Sequence, residues 1–219
     1  MIVHAFIYCR LNSSRLPGKV LFQVGQRSVL QICVDKVRSV GGVMPVVLTS
    51  DRESDDPIAA ACSEMGVDCF RGDLDNLAKR TLDALDRFPC DGFFRLNADS
   101  PFFQPALYRV AQELFEKGGY DLVTNVLHRS FPYGIAVELL RSNVLKTHYA
   151  YFRDDDFEHL TKYFYREKEK LRIYNITNQE DWSGFRFVLD TQEDWDRLQK
   201  LWSGHQDLFD MEIKQLIEL

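Results

Sequence analysis

At 219 residues, 45% of them hydrophobic and 27% charged, the chain has room for one domain whose interior needs no disulfide staples. Its net charge of -6 excludes a nucleic-acid binder that works through a broad basic face, and no apolar run approaches membrane-spanning length. Five cysteines, Cys9, Cys33, Cys62, Cys69 and Cys90, form no CxxC pair, so they read as small apolar residues of a reducing compartment rather than a zinc ribbon or a disulfide framework.

Ile2–Tyr8 is an apolar, partly β-branched run that suits a buried strand. The stretch Arg-Leu-Asn-Ser-Ser-Arg-Leu-Pro-Gly-Lys, residues 10–19, follows it, and Val20–Val24 is a short apolar segment ending at Gly25. Ser28 caps a helix to about Arg38, stopped by Gly41-Gly42. Met44–Thr49 is the second strand, with Ser50-Asp51 at its end. Asp56-Pro57 opens a helix through Met65, and that helix start accounts for Asp55 and Asp56 without a metal. Val67–Phe70 is the third strand, followed by Arg71-Gly72-Asp73 and a helix from about Asp75 to Arg87. Gly92–Leu96 is the fourth, ending in Asn97-Ala98-Asp99-Ser100-Pro101. Pro105 opens a helix to about Lys117, closed by Gly118-Gly119. Asp121–Val126 is a fifth strand, Phe131–Gly134 a turn, Ala136–Leu140 a strand and Ser142–Tyr151 a helix. Asp154–Asp156 is a surface charge run that caps a helix over Phe157–Glu167. Leu171–Thr177 and Phe185–Leu189 are further strands. Thr191 starts a helix with Asp194 in capping-box position, and Asp210–Leu219 is a short amphipathic helix.

Four strands with apolar bodies thus end in polar residues, the pattern of an α/β fold whose mostly parallel sheet carries a site along one edge. No repeat or low-complexity segment breaks the chain, which reads as one domain, 1–219, with a protruding subregion around 128–165. The loop from Arg10 to Lys19 has the donors that hold an anion: serine hydroxyls, guanidinium forks and a lysine charge. Composition alone accounts equally well for a solvated basic loop. It is not a Walker loop, because the glycine that pattern needs falls on Ser13 and its Ser/Thr on Val20, and no GxGxxG occurs anywhere. No basic region leads into a long apolar core at the N-terminus, so the expected location is the cytoplasm.

R-x-x-S-[ST]-R-L-P-G-K after a first strand resembles the triphosphate-binding loop of the cytidylyltransferases that activate acidic sugars, the CMP-Kdo and CMP-sialic acid synthetases. Over roughly residues 1–195 the chain resembles most their spore-coat polysaccharide biosynthesis protein F group, through Val47–Asp51, Asp55–Ile58, Phe70–Gly72, Arg95–Pro101 and Glu158–Thr161 in the same order. The resemblance implies a three-layer α/β sandwich of the nucleotide-diphospho-sugar transferase type and transfer of CMP from CTP to a hydroxyl of an acidic, 2-keto-3-deoxy type sugar. It also implies Mg²⁺ as cofactor and a homodimer in contact through Phe131–Tyr151. Arg10, Ser14, Arg15 and Lys19 would cradle the departing phosphates, with Arg10, Arg15, Lys19 and Asp99 serving catalysis. Asp99 and Asp190 would hold the metal, Asp190 through a segment, Asp190-Thr191 then Glu193-Asp194, that resembles the family's D-T-x-E-D. Helix entry is the other account of Asp190.

Arg71 and Asn97 would hold the nucleotide by the same resemblance. For the acceptor the implied residues are Arg80, Asn125, Tyr133, Glu138, Glu158 and His159, although a solvated helix arginine accounts equally for Arg80 and a structural histidine for His159. Phe157 stands where relatives of the spore-coat type often have arginine before Glu-His, a departure that bears on the identity of the sugar. Three other readings remain open: a sugar phosphate or other phosphorylated alcohol as acceptor, a D-x-D glycosyltransferase using Asp73-Leu-Asp75 or Asp194-Trp-Asp196, and a catalytically silent nucleotide-binding partner protein.

Overall fold

The computed structural model describes residues 1–219. The chain begins with β1 (Val3–Tyr8), then a small hairpin of β2 (Gln23–Val24) and β3 (Arg27–Ser28) leads into α1 (Val29–Arg38). β4 (Val43–Ser50), α2 (Asp56–Glu64), β5 (Asp68–Gly72), α3 (Leu77–Arg87) and β6 (Gly92–Asn97) follow in strict alternation. The second half contains α4 (Pro105–Gly118), β7 (Leu122–Thr124), β8 (Glu138–Arg141), α5 (Ser142–His148), α6 (Asp154–Glu158), α7 (Leu160–Arg166), β9 (Ile173–Asn175), α8 (Gln192–Gly204) and α9 (Ile213–Ile217). One seven-stranded sheet in the order β5-β4-β1-β6-β8-β7-β9 runs through the molecule, and β8 alone opposes the common direction. No helix is long and apolar enough to cross a membrane.

The two-residue period of β1 shows why the sheet is covered on both faces. Val3, Ala5 and Ile7 join one core, with side chains of α1, α2, α4, α8 and α9, while Phe6 and Tyr8 join another, with α3, α5 and α7. The register then sets up the site. Tyr8 pairs with Leu48 on one side and Asn97 on the other, so β1 and β6 finish at one level while β4 runs two residues further, to Ser50. Loops that leave those ends, residues 9–19 and 98–104, therefore start side by side.

Several expected elements end differently. The apolar stretch Val20–Val24 is a 3-10 turn, Lys19–Leu21, followed by the hairpin arm β2. Phe185–Leu189 is extended but belongs to no strand. Its one bridge joins Arg186 to Tyr133, and Leu189 N donates to Asp99 O at 2.7 Å, so the segment crosses the end of the sheet instead of lying beside a strand. Gly134 explains the crossing: it sits at φ 96°, and a Cβ there would collide with the Phe187 carbonyl. The helix expected over 157–167 is two helices, α6 and α7, broken at His159 with φ -113° and ψ 64°.

The charge run before that break is only partly on the surface. Asp156 is 0% exposed, accepts from Arg153 N at 2.8 Å and takes both Arg166 guanidinium nitrogens, at 2.8 and 2.7 Å. Hydrogen bonds from Arg166 hold its carboxyl below the usual carboxylate range. Such a pair is costly to break on one side, because the remaining charge stays buried. Arg166→Met is expected to lower the urea unfolding midpoint, because it leaves the Asp156 carboxylate buried without its partner. A depressed carboxyl contributes stability that is complete above its unfolded-state value and is lost as pH falls through the folded-state value. Unaltered protein should accordingly lose stability in acid more steeply than Asp156→Asn.

Candidate active site

The loop after β1 is held shut by its own backbone and by one buried carboxylate. Ser13 N and Gly18 N both donate to Leu11 O at 2.9 Å, and Gly18, at φ 74°, turns the chain into the 3-10 turn that carries Lys19. Beneath it Asp55, 1% exposed, accepts from Leu11 N at 2.8 Å and from the Ser50 hydroxyl, tying the loop to the end of β4. The helix start thus has a second use, since the residue before α2 also fixes the loop.

Lys19 is the centre of the arrangement. Its buried ammonium donates to Asp99 at 2.8 Å and to Asp190 at 3.0 Å, joining the segments after β6 and before α8. Arg15 reaches Asp190 at 2.5 Å, and Arg186 lies 3.6 Å from it. Asp190 is aimed by a capping box: Asp194 accepts from Asp190 N and Thr191 N, both at 2.9 Å, and takes the Arg186 guanidinium at 3.2 Å. Arg10, Ser14, Arg15, Lys19, Asn97, Asp99 and Asp190 all line one cavity of about 670 Å³.

The wall of the same cavity also brings together Arg80, Tyr133, Glu138, Glu158 and His159. The break between α6 and α7 turns Glu158 and His159 toward the loop, where Glu158 lies 3.5 Å from Arg10 in an exposed and therefore weak pair. Tyr133 is flanked by the guanidinium groups of Arg129 and Arg186, 5.3 and 5.1 Å from its ring centre. Glu138 is on the wall, but its oxygens are already engaged by Arg95 at 2.8 Å and by the Tyr165 hydroxyl at 2.5 Å. Burial, with Glu138 beside it, pushes the Tyr165 phenol well above its ordinary value, so it remains a hydrogen-bond donor.

Two expected residues lie elsewhere. Arg71 does not line the cavity: its guanidinium donates to Ser50 O at 3.1 Å and Arg52 O at 2.7 Å and pairs with Asp56 at 2.6 Å, clamping β5 to the start of α2. Asn125 is buried with its amide spent on Ile135 O at 2.9 Å and Val137 N at 2.8 Å, because that side chain mimics a strand partner where β7 has ended. Three of the four D-x-D carboxylates are likewise occupied, Asp73 by the backbone of Asp75 and Asn76, Asp194 by the capping box and Asp196 by Gln192. Residues that sequence reasoning passed over include Arg95, Tyr8 and Tyr165, all on the wall. Arg95 had a signal: it is the one charge in the apolar strand Gly-Phe-Phe-Arg-Leu.

A basic loop paired with two carboxylates at the edge of a large cavity, at the carboxyl ends of a mostly parallel sheet, defines a nucleotide-handling α/β enzyme site. Residues 4–216 match the family described as Cytidylyltransferase, and the chain belongs to that family of nucleotidyltransferases. It is 30% identical to the spore coat polysaccharide biosynthesis protein SpsF of Bacillus subtilis over 97% of this chain and 91% of that one. The structure of a cytidylyltransferase from Leptospira borgpetersenii serovar Hardjo-bovis superposes with a TM-score of 0.91 at 28% identity, covering 100% of this chain and 93% of that chain. CMP:2-keto-3-deoxy-manno-octonic acid synthetase complexed with CTP shares the fold at a TM-score of 0.67 and 17% identity, over 93% and 99% of the two chains.

Asp55→Ala leaves the Leu11 amide without its acceptor. It is expected to lower stability by about 1–3 kcal/mol and to speed hydrogen exchange at Leu11 N–H while exchange in β6 stays slow.

Proposed function

We propose that this protein transfers CMP from CTP to a hydroxyl of an acidic sugar of the 2-keto-3-deoxy type, releasing pyrophosphate, for a surface polysaccharide or glycan. The observation that carries the reading is one cation, Lys19, held between two carboxylates at the foot of a loop that brings Arg10, Ser14 and Arg15 to the same cavity. CTP as donor is supported by the family and by the CTP complex of a protein of the same fold.

Cytidylyltransferases typically use a divalent metal. Asp99 and Asp190 suit Mg²⁺ as a donor set, since both already converge on a single cation and a hard ion takes few carboxylates when water and phosphate oxygens supply the rest. Bound there, Mg²⁺ would neutralise phosphate charge. Lys19 and Arg15, released from the two carboxylates, then turn with Arg10 and Ser14 to the β- and γ-phosphates and stabilise the charge that builds as pyrophosphate leaves. The sugar hydroxyl oxygen bonds to the α-phosphorus, the bond from that phosphorus to the bridging oxygen breaks, and the hydroxyl proton passes to solvent. Asn97 faces the nucleotide from the end of β6, while Tyr133, Glu158 and His159 meet the acceptor from the subregion 128–165. The same family reading supports a homodimer built on Phe131–Tyr151, where Tyr151 is 68% exposed.

Pyrophosphate release from each of the four NTPs, with Mg²⁺ and a panel of acidic sugars and sugar phosphates, tests the reaction. Release with CTP and one acidic sugar is expected, reduced about 100-fold or more in Asp99→Asn; no release and no CTP binding would sink the proposal. Lys19→Met separates the two uses of the lysine. Turnover should fall about 100-fold, yet Mn²⁺ without nucleotide should bind more tightly than to unaltered protein, because the competing ammonium is gone. The electron paramagnetic resonance signal of free Mn²⁺ reads that affinity, and unchanged or weaker binding would contradict the assignment of Asp99 and Asp190.

A further inference from the structure

The guanidinium of Arg80 has no hydrogen bond or ion pair anywhere in the protein, although the residue is only 3% exposed and lies on the cavity wall. Its Nε and Nη1 are both buried and unpartnered. Arg95, on the same wall, spends Nη1 on Glu138 at 2.8 Å and leaves its Nε buried and unpartnered as well. The Arg95 guanidinium lies 5.9 Å from the centre of the Tyr8 ring, whose hydroxyl is bonded to Thr81 at 2.9 Å, one residue beyond Arg80 on α3. Gly72 makes the room: a Cβ at that position would stand 3.1 Å from Arg80 Cγ.

Burying a cation with no counter-charge is among the costliest arrangements a fold can contain, and buried donors without acceptors are rare. Burial pulls the Arg80 pKa down, yet an arginine does not give up its proton in a protein. Glu138 is already held by Arg95 and Tyr165, and Asp55, a carboxylate whose charge acts on Arg80, is spent on Leu11 N and the Ser50 hydroxyl. One positive charge is left over, and it is planar, forked and turned to a ligand cavity.

We propose that Arg80 and Arg95 form a second anion subsite, separate from the loop at residues 10–19, that selects the acceptor by an anionic group. The inference rests on the cytidylyltransfer reading and deepens it. A guanidinium fork matches a carboxylate or a phosphate, so the shared chemistry is a planar or tetrahedral oxyanion. Glu138 and Tyr165 are positioning residues here, holding Arg95 at the wall. A neutral sugar would leave the buried donors unpaired, which is how a polar site rejects a ligand lacking the matching group.

The test uses full-length protein loaded with saturating CTP and Mg²⁺, so that the loop is occupied, and follows arginine Nε–H signals by ¹⁵N NMR. Pyruvate serves as the carboxylate probe and inorganic phosphate as the phosphoryl probe. The expected result is a saturable shift of the Arg80 signal, identified by its loss in Arg80→Gln, with the stronger probe naming the source of the anion. By calorimetry Arg80→Gln should weaken that probe about tenfold, the scale of one charged hydrogen bond, and bind CTP within about threefold of unaltered protein. It should also melt at a higher temperature, since it removes a buried unpaired charge; a merely structural arginine would melt lower. Arg80→Lys should recover part of the probe affinity. A silent Arg80 signal with CTP binding intact overturns the subsite alone, as does a tenfold loss of CTP affinity in Arg80→Gln. Failure of unaltered protein to take CTP overturns the cytidylyltransfer reading and the subsite with it.

Discussion

The ammonium of Lys19 between Asp99 and Asp190 is the contact on which the architecture converges. Two carboxylates brought this close repel one another, and a buried lysine could not stand alone; each group makes the others tolerable. Everything around the triad serves to place it. The level ends of β1 and β6 set the loop beside Asp99, the left-handed turn at Gly18 delivers Lys19, and the capping box of α8 aims Asp190. None of these devices is unusual alone. Together they give a centre in which the charges of Lys19 and Arg15 are already balanced by Asp99 and Asp190.

The cavity is polar in two different ways. At the loop, Arg10 and Arg15 are exposed cations, each paired with one carboxylate. In the same cavity Arg80 and Arg95 are largely buried, with Arg95 fixed by the chain Glu138, Tyr165 and Thr124. Exposed charges attract weakly and adapt; buried ones attract strongly and discriminate.

What the sequence made legible was local. The first strand, the basic loop after it and the polar ends of β4, β5 and β6 follow from runs of a few residues, and so do the place of Asp99 just after β6 and the Thr191–Asp194 cap. What it hid depended on partners far along the chain. Arg71 looks free at a strand end until Asp56 and the Arg52 carbonyl fold back onto it, and Asn125 looks free until the stretch before β8 takes its amide. Phe185–Leu189 has the composition of a strand, but Gly134 makes it a crossing strap instead. The break at His159 has no glycine or proline to announce it. Asp156 reads as one of three surface acids because only the fold reveals Arg166 above it.

The long reach of the triad bears on how the chain acquires its site. Lys19 and Asp99 can meet as soon as β6 has docked against β1, whereas Lys19 and Asp190 are 171 positions apart. During synthesis, when the amino-terminal part emerges first, the sheet and the basic loop can therefore stand assembled while the second carboxylate is still inside the ribosome. Until the crossing strap arrives, Arg15 and Lys19 are short of the carboxylate that they share in the finished fold. The nascent protein passes through a stage of greater positive charge at its mouth, and the last quarter of the chain brings the carboxylate that pairs with Arg15 and Lys19.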